Sequence, residues 1–136
     1  MALLALAACG DDNNAFKQEY NEAVQPLSVL GDDVGQSLTR AAGESNEELA
    51  TRYDKLAQRL DEVRDNLSGL EPPDDAQPQF DELVAALEEG SKRLRALADA
   101  VEKGKPAEAQ EATGALVESG RRLREAETAF REAVEG

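Results

Sequence analysis

The spacing of apolar residues constrains this chain more than any other feature of its sequence. Between residues 49 and 70 the apolar positions are separated alternately by four and three residues. The series is Leu49, Tyr53, Leu56, Leu60, Val63, Leu67 and Leu70. A 4-3 repeat places all of these side chains on one face of an α-helix, and that face must be buried against another element. The spacing therefore predicts an amphipathic helix packed against other helices.

Three further segments show the same periodicity. They cover residues 16–41, 80–101 and 109–133, and Leu83 and Leu97 widen the apolar stripe of the second of these. A stripe wider than two residues per heptad is typical of a bundle core rather than of an extended coiled coil. Because no stretch alternates apolar and polar residues with period two, we expect no strands.

Glycine and proline divide the chain into four segments. Gly typically follows the end of a helix, whereas Pro is favoured in its first turn. Such residues cluster at 43–45, 69–73 and 104–106. The sequence therefore predicts four helices, near 15–42, 46–69, 75–103 and 106–135. Because Pro26 has no amide hydrogen to donate, we expect a kink or a break in the first of them.

The short loops between these helices determine the topology. A helix of about 25 residues is about 38 Å long, so a short connection returns the chain antiparallel to the preceding helix. We predict an all-α fold, an antiparallel up-down-up-down four-helix bundle over residues 15–136; two helical hairpins are the alternative. Ser45 is expected to cap the second helix by accepting a hydrogen bond from the Glu48 amide, and Asp74 and Asp75 are candidate caps of the third.

The composition excludes several classes of function. The 136 residues include 15 Lys plus Arg, 29 Asp plus Glu, one Cys and no His, which gives a net charge of −14. Nucleic-acid binding depends on clustered Lys and Arg, so we expect no nucleic-acid partner for so acidic a chain. The absence of His excludes Ser-His-Asp triads and His-ligated metals, and a lone Cys permits no intrachain disulfide.

The charged side chains fit helix surfaces better than a reaction centre. Acid-first pairs four residues apart, such as Glu89 with Arg93, are typical of solvated helix faces. No Asp or Glu occupies the apolar stripes, so a buried carboxylate metal site is not expected. The densest basic positions, around Arg95 and at 121–124, are expected to pair with the surplus carboxylates. We therefore predict no enzymatic activity, no cofactor and no metal site.

The first ten residues carry a separate signal. Residues 1–8 are apolar throughout, and Leu6, Ala7 and Ala8 lead directly to Cys9, the only cysteine of the chain. A polar run follows at 10–14. This arrangement resembles the lipobox of bacterial lipoproteins, in which Leu and two small residues precede a Cys. In that family the Cys is diacylated, the signal segment is cleaved before it, and the lipid holds the mature chain to a membrane.

The resemblance implies where the protein is located, but implies no activity. It implies a partial signal segment at 1–8, a lipidated Cys9 with a polar tether at 9–14, and an extracytoplasmic domain anchored in the cell envelope. The apolar run is short and contains no Lys or Arg, so we expect the natural start to lie upstream of Met1. The run is also too short to span a bilayer, which takes about 20 apolar residues.

Three functions are consistent with these features. We favour a lipid-anchored bundle that acts as a non-enzymatic interaction or scaffold module with a protein partner in the envelope. The second possibility is a lipid-anchored bundle that binds a small apolar ligand in its middle. The third is a cytosolic helical protein that binds a partner and carries the lipobox by coincidence.

The middle of the bundle is where such a ligand would bind. Gly31, Ser91, Ser119 and Gly120 occur in or beside the apolar stripes, near the midpoints of the first, third and fourth helices. Gly inside a helix costs up to about 1 kcal/mol relative to Ala, so these residues suggest either a close approach of helices or a cavity. Because protein interiors contain few voids, we predict a close-packed layer in which Gly120→Leu is destabilising.

Overall fold

The computed structural model describes the backbone of residues 8–135 and the side chains of residues 14–135. This part of the chain folds as an antiparallel up-down-up-down four-helix bundle without strands, as the apolar spacing predicts. The first helix is broken into α1 (Ala8–Val24) and α2 (Pro26–Arg40). The other helices are α3 (Asn46–Ser68), α4 (Gln77–Glu102) and α5 (Pro106–Glu135).

The N-terminal segment becomes helical earlier than the sequence analysis predicts. The polar tether expected at 9–14 lies within α1, which already begins at Ala8. The break expected at Pro26 is confirmed, since α1 ends at Val24 and α2 begins at this proline.

Most helix ends follow the predicted capping chemistry. Ser45 Oγ accepts a hydrogen bond from the Glu48 amide at 3.2 Å, and α5 begins at Pro106. Gly104 adopts φ +64° after α4, a left-handed conformation that ends the helix and favours glycine. The prediction for Asp74 and Asp75 is wrong. Both lie in a short 3-10 turn, and α4 begins at Gln77 without a side-chain cap.

Helix α4 lies at the centre of the packing. It makes extensive contacts with α3 on one side and with α5 on the other, whereas α1 and α2 pack mainly on α3. Leu83 and Leu97, which widen the apolar stripe of α4, are therefore buried together with the stripe itself. The chain places α1, the α3–α4 connection and the end of α5 at the same end of the bundle.

Candidate functional site

Cys9, the predicted lipidation site, lies near the start of α1. Its side chain falls outside the residues whose side chains the structure describes. Among the residues whose side chains the structure describes, the first that is buried is Phe16, seven positions after Cys9 in the same helix. At a rise of about 1.5 Å per residue, Cys9 is about 10 Å from the point where α1 enters the core.

An aromatic cluster forms the attachment of α1 to the rest of the bundle. The Phe130 ring of α5 lies 6.0 Å from Phe16, 4.9 Å from Tyr20 and 5.4 Å from Phe80, measured between ring centroids. All four residues are buried. Tilted and edge-to-face pairs at these separations contribute about 0.5–1.5 kcal/mol each beyond burial of their area. The cluster therefore ties α1 to α4 and α5, which are distant in sequence.

The hydroxyl group of Tyr20 is the unusual feature of this aromatic cluster. Tyr20 is only 4% exposed, and its Oη atom has no hydrogen-bond partner among the described residues. Burial, the largest cause, and the nearby Glu127 carboxylate together raise the pKa of Tyr20 to about 12, while the charge and proximity of the Arg131 guanidinium oppose the rise. The hydroxyl is therefore held neutral, and it is buried without a hydrogen bond of normal geometry, although the Arg131 guanidinium lies near it.

The predicted small-residue layer does not assemble as expected. Ser91 and Ser119 are buried, but Gly31 is exposed and Gly120 is only partly buried. A Cβ atom added at either glycine would meet nothing within 4 Å, so neither glycine is in a close helix contact. In α2 the core position is taken instead by Leu30, one residue before Gly31. The prediction of one close-packed layer through all four residues is wrong.

A close helix contact does exist, but it is centred on a glycine that the sequence analysis did not select. Gly90 of α4 is buried, and a Cβ atom there would lie 2.9 Å from Leu60 Cδ2 of α3. The neighbouring Ser91 donates a hydrogen bond from Oγ to the carbonyl oxygen of Ala57 at 3.4 Å. The adjacent small residues Gly90 and Ser91, facing an alanine of α3, were the signal that could have located this contact.

A network of charged side chains lies beside the contact between α3 and α4. Arg95 donates hydrogen bonds to Ser91 Oγ and to Asp61 Oδ2, both at 2.6 Å. Burial acts to raise the pKa of Asp61, but the hydrogen bonds from Arg95 and Ser91 and the charges of Arg95 and Arg64 outweigh it and hold this pKa below its ordinary value. Because Asp61 belongs to α3 and Arg95 to α4, the network links these two helices.

Several other basic groups pair within their own helices, in line with the charge pattern. Arg93 contacts Glu89 at 2.7 Å, Arg131 contacts Glu127 at 2.7 Å, and Arg121 bridges Glu118 and Glu125. These pairs lie within single helices and are largely exposed, so each contributes little to stability. These ion pairs belong to a solvated surface with a net negative charge.

The clefts on this surface are open. One of about 510 Å³ lies beside the α3–α4 connection, with Ser68, Pro72 and Phe80 in its wall. Another of about 580 Å³ lies on α2, where Gly31 and Gly35 face outwards. In the part of the chain that the structure describes, no group of three or more His, Cys, Asp or Glu side chains is placed to hold a metal ion.

None of the helices described is both long enough and apolar enough to cross a membrane. Comparison of the chain with protein-family models, with curated proteins and with solved structures finds no match.

Proposed function

We propose that this protein is a lipid-anchored helical bundle of the bacterial cell envelope that acts as a non-enzymatic interaction or scaffold module. The observation that carries this proposal is the direct connection between Cys9 and the folded body. Cys9 lies in the same helix as Phe16 and Tyr20, which pack against Phe130. A lipid on Cys9 would therefore hold the bundle by one end, within about 10 Å of its core.

The charge of the bundle supports an orientation that projects away from the membrane. With a net charge of −14, the surface is repelled by anionic lipid headgroups. Helix α5 has 30 residues and is about 45 Å long, so the opposite end of the bundle lies several nanometres from the anchor. The sides and the distal end of the bundle are then accessible to a protein partner, which suits a scaffold.

Metabolic labelling with a fatty-acid analogue tests the anchor. The full chain is expressed in bacteria behind a functional upstream secretion signal, together with Cys9→Ala and, as a matched control, Asn14→Ala in the same helix. We expect the unsubstituted chain and Asn14→Ala to be labelled and to fractionate with membranes. Cys9→Ala should be unlabelled and should leave the membrane fraction. Equal fractionation of all three proteins would refute the proposal.

Crosslinking in intact cells tests the interaction role. The anchored chain and Cys9→Ala are crosslinked and purified in parallel, and the recovered proteins are identified by mass spectrometry. We expect envelope proteins to be crosslinked to the anchored form and to be depleted with Cys9→Ala. Recovery of the same cytosolic proteins with both forms would favour the cytosolic partner-binding alternative.

A further inference from the structure

The bundle is packed unevenly, and its first helical segment makes the least extensive contacts with its neighbours. Helix α3 contributes eight buried residues and α4 nine, whereas α2 contributes only Leu30 and Ser37. Helix α5 also has few buried residues, but unlike α1 and α2 it makes extensive contacts along α4. The other apolar residues of α2 that face the core, Leu27, Val34 and Leu38 among them, are only partly buried. The contacts of α1 and α2 with α3 are also much less extensive than those between α3 and α4 or between α4 and α5.

The local structure of this segment gives it little additional stability. Gly31 and Gly35 both lie inside α2, where glycine is less favourable than alanine, and neither makes a close contact that would require it. Gln25 provides no side-chain cap at the break between the helices. The described ion pair from α2 to α3, Asp33 with Arg59 at 2.8 Å, is about 40% exposed on both sides and therefore weak.

Helix α1 is attached to the bundle more strongly than α2, but its attachment includes a destabilising feature. Phe16 and Tyr20 bury their rings against Phe130, yet among the described residues Tyr20 Oη has no hydrogen bond of normal geometry. An unsatisfied buried hydroxyl regains hydrogen bonds to water whenever the segment detaches, which favours the detached state. By contrast, α3, α4 and α5 retain their mutual contacts if α1 and α2 leave.

We propose that α1 and α2 form a strap that opens as one unit while α3, α4 and α5 remain folded. Segments with few buried apolar contacts open at a lower free energy than the global unfolding of a protein, often as cooperative units. The aromatic cluster at one end holds the strap closed, and the exposed Asp33–Arg59 pair near the other end adds little to it.

Opening of the strap would change the reach of an anchored protein. This consequence, unlike the opening itself, rests on the proposed lipid anchor at Cys9. When the strap is closed, the anchored helix lies along the bundle and holds the body close to the membrane. When it is open, the 17 residues of α1 and the 15 of α2 become a tether of up to about 110 Å. The body formed by α3, α4 and α5 could then reorient and reach a more distant partner.

Hydrogen exchange on the full chain tests the opening without any membrane. Three variants each place a methyl group in open space on a helix: Gly31→Ala and Gly35→Ala in the strap, and Gly114→Ala in α5 as the matched control. Each should slow exchange through any opening that unfolds its own helix by about two- to fivefold. A variant does not affect exchange through an opening that leaves its helix folded.

The expected result is therefore asymmetric. Gly114→Ala should slow the most protected amides of α3 and α4 and leave the amides of the strap unchanged. Gly31→Ala and Gly35→Ala should slow the amides of both α1 and α2. If Gly114→Ala slows the strap amides equally, the bundle unfolds only as a whole and the proposal fails. It also fails if Gly31→Ala protects α2 but not α1, because the two helices would then open separately.

Discussion

The hydroxyl group of Tyr20 should destabilise the protein, so that Tyr20→Phe is expected to stabilise it. The aromatic ring packs 4.9 Å from the Phe130 ring, and phenylalanine keeps this contact. The substitution removes only the Oη atom, which is buried and has no hydrogen bond of normal geometry in the described part of the chain. An unsatisfied buried polar group costs about 1–3 kcal/mol, so we expect a gain near the lower end, about 1 kcal/mol. For a domain of this size that corresponds to a rise in Tm of about 4 °C.

The same residue predicts a dependence on alkaline pH. The pKa of Tyr20 is about 12 in the folded chain and about 10 for an ordinary tyrosine, because burial disfavours the phenolate. Between these values the unfolded chain loses its proton first, so folding stability falls as the pH rises from about 10 towards 12. The loss amounts to at most about 3 kcal/mol, and Tyr20→Phe should lack this contribution.

Urea unfolding followed by circular dichroism at pH 7 and at pH 11 checks both parts of this prediction. Tyr53→Phe is the matched control at pH 7, because Tyr53 is buried on α3 outside the aromatic cluster and its hydroxyl is not among the unpartnered buried atoms of the described residues. Burial also raises the pKa of Tyr53, so at pH 11 Tyr20→Phe is compared with the unsubstituted chain. We expect Tyr20→Phe alone to gain stability at pH 7. A loss of more than about 1 kcal/mol at pH 7 would show that Oη has a partner in solution, and the reasoning would be refuted.

Three further predictions concern the contact between α3 and α4 and its surroundings. Leu60→Ala should lower the free energy of unfolding by about 2–5 kcal/mol in urea titrations, and a loss below about 1 kcal/mol would exclude Leu60 from the core. In thermal melts Gly90→Leu should lower the Tm, because even a Cβ atom at Gly90 lies 2.9 Å from Leu60 Cδ2. Gly120→Leu should leave the Tm unchanged or raise it, because a Cβ atom at Gly120 meets open space. The opposite order would refute the assignment of the close contact. The pKa of Asp61 is lowered in the folded chain, so the stability that its ionised carboxylate contributes is lost as the pH falls through that pKa. Asp61→Asn should therefore show a smaller decrease in Tm between pH 7 and about pH 3 than the unsubstituted chain. Equal decreases would contradict the role of its pair with Arg95.

Helices and their order were predictable because their signals are local. The 4-3 spacing from Leu49 to Leu70, the cap at Ser45 and the first-turn proline at 106 each act within a few residues, and each appears in the structure as predicted. The short loops then favoured an antiparallel bundle, because they connect neighbouring helices, and the structure has this fold. Helical structure in 9–14 was missed because short polar segments carry competing signals for turns and for the first turn of a helix.

Contacts between helices were decided only by the tertiary structure. Gly31 and Gly90 are both glycines inside helices, yet one is exposed on α2 and the other meets Leu60 across the α3–α4 contact. The aromatic cluster likewise joins residues from α1, α4 and α5 that no local pattern connects. The physical reason is that periodicity specifies which face of a helix is buried, while its rotation and depth against a neighbour depend on how all side chains at the contact fill the shared space.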